Sequence, residues 1–129
     1  MASVRAHARI DRPASDVWEA VTDPTGIASW FPGVDACDLD GDIRTVTMST
    51  GFVVKERVVT NDSDLRRFQY SLVDLPGIES HLATIDVLED GAGTIAVYAT
   101  DVTPDAAGAQ MQQSVSAAVN ALKAHIEKG

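Results

Sequence analysis

The sequence predicts an α+β domain, an antiparallel seven-stranded curved sheet closed over one long C-terminal helix. Three observations predict it. Met111, Val115, Val119, Leu122 and Ile126 recur at steps of three and four within Asp105 to Gly129, so they share one helix face. Short alternating segments with glycine and aspartate turn signals between them fill residues 34–102, at a spacing typical of antiparallel strands. One further strand pattern and two short helical patterns precede them. An apolar stripe as long as that of the last helix must lie against something, and the sheet face is the large surface on offer. A curved sheet gripping a helix leaves a cavity, so a small-molecule site is expected.

The elements follow in order. Val4, Ala6, Ala8 and Ile10 alternate with Arg5, His7 and Arg9, which makes a half-buried strand with His7 outward. Arg12-Pro13-Ala14-Ser15-Asp16 opens a helix with Val17, Trp18, Ala20 and Val21 on its apolar side, and Asp23-Pro24 stops it. A shorter helix, Thr25 to Trp30, ends at Phe31-Pro32-Gly33. Strands are expected at 34–39, 43–49, 52–60, 67–73, 81–88 and 94–102, with a longer loop at Asp74 to Glu79 around Pro76-Gly77. Asp105 after Pro104 is the expected N-cap of the last helix, and Lys123, His125 and Lys128 suit its C-terminal end.

Composition narrows the functional classes. A chain of 129 residues with 45% hydrophobic and 22% charged residues reads as one soluble domain, 1–129, that can bury its own core. Ten Lys and Arg against 19 Asp and Glu give a net charge of -9, which disfavours nucleic acid and anionic membrane surfaces as partners. No apolar run is long enough to insert in a bilayer, and the polar N-terminus does not resemble a signal peptide. The lone Cys37 cannot form an internal disulfide, in keeping with a cytoplasmic location, and reads as a packed small hydrophobe. Three scattered histidines offer no metal-ligand spacing, and neither a phosphate loop nor a Gly-x-Ser-x-Gly signature is present, so no metal or cofactor is expected.

Alternation assigns the inward faces. They are Arg44, Val46 and Met48; Phe52, Val54, Glu56 and Val58; Phe68, Tyr70 and Leu72; His81, Ala83, Ile85 and Val87; and Ala96, Tyr98, Thr100 and Val102. A three-residue loop at Ser49 to Gly51 sets Arg44 opposite Glu56, and a loop from Asn61 to Leu65 sets Glu56 opposite Tyr70 and Val58 opposite Phe68. The result is an inward row, Arg44–Glu56–Tyr70, with His81 diagonal to Tyr70 and beside Leu72. A carboxylate between a guanidinium and a phenol is satisfied where an isolated one would be costly. The row has three readings: a register-fixing pair, polar anchors for a mostly apolar ligand, or acid-base groups with Glu56 or His81 as the acting residue. Tyr98, Trp30, Phe68, Met111 and Val115 complete the expected ligand-binding set. Trp30, Phe31 and Pro32 could form either a plug joining helix to sheet or a gate at the cavity mouth.

At this point the chain resembles the START/Bet v 1-like (SRPBCC) superfamily, and within it the polyketide cyclase/dehydrase-like proteins. The resemblance rests on Ile10-Asp11-Arg12-Pro13-Ala14-Ser15-Asp16-Val17-Trp18, on Asp23 through Trp30-Phe31-Pro32, on the glycine-bounded strands, and on Arg44, Glu56-Arg57 and Tyr70 centred in strands. Related chains often carry Trp in the last strand where this one has Tyr98. The resemblance implies the helix-grip fold and a ligand cavity, and leaves activity open. The expected function is binding of a small hydrophobic or amphipathic, lipid- or polyketide-like molecule. The alternatives are a polyketide aromatase/cyclase or dehydratase using Glu56, Tyr70 or His81, and a protein-interaction module with a vestigial cavity. A homodimer is left open.

Overall fold

The computed structural model describes residues 1–128. Strand β1 (Ala2–Ile10) leads into helices α1 (Ala14–Thr22) and α2 (Ile27–Trp30). Strands β2 (Val34–Asp40), β3 (Ile43–Met48), β4 (Val53–Asp62), β5 (Arg67–Val73), β6 (Ser80–Asp90) and β7 (Gly93–Thr103) follow, then a 3₁₀ turn (Asp105–Ala107) and helix α3 (Gly108–Lys128). Gly129, which the sequence pattern also assigns to the helix, lies outside the described residues. The seven strands form one antiparallel sheet in the order β1-β7-β6-β5-β4-β3-β2, as expected for the helix-grip fold.

The core lies between the concave sheet face and the three helices. Val115, Ala118, Val119 and Leu122 of α3 are buried against Ile10, Tyr98 and their neighbours. Met111 and Ile126, at the ends of the same stripe, are half-buried. Gly108 allows α3 to start hard against β1, because a Cβ there would come 2.8 Å from that of Ala2. The other end of α3 is tied to the β1–α1 junction. Arg12 donates to the Glu127 carbonyl at 3.0 Å, Lys123 to the Arg9 carbonyl at 2.6 Å, and the Asp11 amide to the Glu127 carboxylate at 2.8 Å. The Arg12 contact satisfies a helix-end carbonyl by a side chain distant in sequence.

Two expectations change. Asp105 does not cap α3: it opens the 3₁₀ turn, and its carboxylate pairs with the amino group of Met1. The β4–β5 register also differs. Glu56 faces Leu72 and Val58 faces Tyr70, two residues from the expected partners. Strand β4 runs on to Asp62, and a bulge at Val59 places Thr60 opposite Gln69 and Asn61 opposite Phe68. A one-residue slip would turn every side chain over. The bulge absorbs that slip, so Glu56 and Val58 stay on the concave side while Val59 is exposed. Beyond it, Asn61 exchanges hydrogen bonds with Thr22 at the end of α1, both at 2.8 Å.

Candidate functional site

The concave face has a buried polar cluster at its centre. Arg44 and Glu56 are opposite each other on β3 and β4, as the hairpin loop predicts, and Arg44 Nε donates to Glu56 Oε1 at 2.8 Å. Arg44 also donates to the Pro24 carbonyl at 3.0 Å, and its guanidinium carbon lies 4.5 Å from the Tyr70 ring centroid and 5.3 Å from that of Phe68. Tyr70 thus joins the pair through its ring face and not as a cross-strand neighbour of Glu56. Its hydroxyl is hydrogen-bonded to that of Tyr98. Burial raises the Glu56 carboxyl above the ordinary carboxylate value, and Arg44 offsets part of that rise. Burial likewise pushes both phenols up.

His81 borders this cluster, its ring 5.8 Å from that of Tyr70. Its Nδ1 accepts the Leu72 amide at 3.2 Å, which puts the proton of the neutral ring on Nε2. Burial lowers its pKa to about 4, so the ring is neutral near pH 7.

The aromatic chain continues from Tyr98 to Phe31 at 6.4 Å and on to Trp30 at 5.8 Å. Trp30 is buried in the core, with its indole N–H unpartnered among the described residues. Phe68 and Val115 are core residues too. Cys37 is half-buried, its thiol directed at the Pro24 carbonyl, and burial raises its pKa.

Exposure on this face rises toward one end. Val46, Glu56, Tyr70 and Ala83 are buried, while Met48, Val54, Leu72 and His81, one step further along the same strands, are half-buried. Beyond them the face opens into a cleft of about 530 Å³ between the start of α3 and two loops. Met111, Gln110 and Ser114 of α3 line one side, and Leu75, Pro76 and Ile78 of the β5–β6 loop line another. Phe52, expected to face inward, instead stands on the rim 55% exposed, because Gly51 turns the β3–β4 hairpin at φ +90° just before it. Of the expected ligand-binding residues, Met111 alone lines this cleft; Arg44, Glu56, Tyr70 and Tyr98 form a separate buried cluster on the concave face. The loop residues carry no periodic pattern, and Pro76-Gly77 marks them only as a turn.

Among the described residues, no cluster of His, Cys, Asp or Glu could hold a metal ion, and no helix is long and apolar enough to cross a membrane. The model of a family described as polyketide cyclase / dehydrase and lipid transport matches residues 1–128. No curated protein matches the chain in sequence. Solved structures similar to it include the protein XoxI from Bacillus cereus, with a TM-score of 0.88 and 21% identity over 95% of this chain and 94% of that one. Truncated norcoclaurine synthase from Thalictrum flavum gives 0.75 and 18%, over 98% and 91%. The di-domain ARO/CYC BexL from the BE-7585A biosynthetic pathway gives 0.80 and 17%, over 98% of this chain and 47% of that one. Such distant likenesses carry the fold, and the family match carries membership. The chain belongs to the polyketide cyclase / dehydrase and lipid transport family, on a START/Bet v 1-like fold.

Proposed function

We propose that the protein binds a small hydrophobic or amphipathic molecule in the cleft between the start of α3, the β5–β6 loop and Phe52. The observation that carries this reading is the lining of the cleft, in which Phe52, Leu75, Ile78 and Met111 supply apolar walls and Gln110 and Ser114 supply polar groups. A volume of about 530 Å³ suits a drug-sized or lipid-chain ligand, and an apolar wall with a few polar groups is the usual makeup of such sites.

Binding without acid-base chemistry is the better supported form. Glu56 is held by Arg44, the Tyr70 and Tyr98 hydroxyls are bonded to each other, and both phenols are weaker acids than free tyrosine. With a pKa of about 4, His81 is a weak base. The test is native mass spectrometry of the purified protein, followed by extraction and identification of what co-purifies, alongside a thermal screen of apolar compounds. A ligand at about 100 times its dissociation constant should add about 2.7 kcal/mol of stability. An empty protein, unshifted by the whole screen, would favour an interaction module instead.

A further inference from the structure

We propose that the cleft selects uncharged ligands and rejects anions of the same shape, an inference that rests on the ligand-binding reading above. Its described lining is apolar or neutral: Phe52, Leu75, Ile78 and Met111, with Gln110 and Ser114 as polar side chains. No lysine, arginine or histidine is among the lining residues. The buried cation of the concave face, Arg44, is already committed to Glu56, the Pro24 carbonyl and the Tyr70 ring. His81, which borders the Arg44 cluster, is neutral, with Nδ1 occupied by the Leu72 amide.

The ionisable groups flanking the lining residues in sequence are Asp74, Glu79 and Asp105, all carboxylates. Of these, Asp105 pairs with the amino group of Met1. The first turn of α3 adds a partial positive charge, which is weaker than a full counter-ion. A carboxylate or phosphate entering the cleft would therefore lose water with no cation among the described lining residues to replace it, in the field of a chain with net charge -9. An alcohol, ester or ketone carries no such penalty and can use Gln110, Ser114 or backbone amides. The expected ligand class is thus a neutral, oxygen-bearing apolar molecule and not a free fatty acid or a phosphorylated lipid.

Calorimetric titration of the full chain with decanol and with decanoate, near neutral pH and below the aggregation concentration of each, tests this. Decanol should bind, and decanoate should bind at least about tenfold more weakly. The substitution Gln110→Arg, which places a guanidinium on the cleft wall from an exposed helix position, should narrow that gap. Equal affinities, or a preference for decanoate, would overturn the charge selectivity and leave the ligand-binding reading standing. Failure of both ligands to bind would overturn the two together.

Discussion

Arg44 and Glu56 form a 2.8 Å ion pair at the centre of the concave sheet face, with side chains only 3% and 10% exposed. Its worth is set by what happens when one partner is lost. Glu56→Ala leaves a guanidinium buried with one carbonyl and two rings for company. The expected cost is about 3–5 kcal/mol, and the double substitution Arg44→Met/Glu56→Leu should recover most of it. The exposed pair Arg57–Asp42, also at 2.8 Å, supplies the control, where Asp42→Ala should cost about 0–1 kcal/mol. Urea unfolding of the three variants and the parent decides the matter, and equal costs for Glu56→Ala and Asp42→Ala would contradict the buried-pair assignment.

His81 makes stability pH-dependent above the range where ordinary carboxylates titrate. Its pKa falls from 6.5 to about 4 on folding because burial disfavours the charged ring. Between those values the unfolded chain binds a proton that the folded chain does not. Stability is therefore present above about pH 6.5 and is lost as pH falls toward about 4, by about 2 kcal/mol after allowing for the ring's partial exposure. His81→Gln keeps an acceptor for the Leu72 amide and removes the titration. Unfolding free energies from pH 5 to 6.5 should slope upward in the parent and lie flatter in the variant. Identical slopes would place the protonation elsewhere.

Two tryptophans of similar burial provide a matched comparison. Trp18 is 7% exposed and its indole N–H donates to the Ser63 hydroxyl at 3.2 Å, whereas Trp30 is 8% exposed and its N–H has no partner among the described residues. Replacement by Phe removes similar apolar area at both sites, but only Trp18→Phe breaks a hydrogen bond. Trp18→Phe should therefore cost about 1 kcal/mol more than Trp30→Phe in chemical denaturation. The reverse order would mean that the Trp30 N–H is satisfied in solution.

Where side chains point was legible in the sequence, because strand alternation is a strict period of two. Ala96, Tyr98, Thr100 and Val102 are all buried as that period requires, and Arg44 meets Glu56 because a short hairpin loop leaves little freedom of register. The Glu56–Tyr70 pairing was not legible. It depends on a bulge at Val59, an ordinary exposed valine that no turn residue announces. The entry to α3 misled for a similar reason, since Asp105 has the chemistry of a cap but sits in a 3₁₀ turn whose geometry Pro104 and Gly108 do not specify from sequence. The cleft was largely not legible: the expected cavity lay between the sheet face and the last helix, whereas this cleft is lined by loops and the start of that helix. Helix periodicity marked Met111, whereas Phe52, Leu75 and Ile78 come from loops, where side-chain direction follows no repeat.

The most direct test of ligand binding in the cleft is mapping of backbone amide NMR shifts on titration with decanol. Binding there predicts saturable shifts concentrated at Phe52, Leu75, Gly77, Ile78 and Gln110 to Ser114. Shifts confined to the separate charged cleft of about 430 Å³ at Arg12, Glu19 and His125, or no saturable shift anywhere, would contradict it.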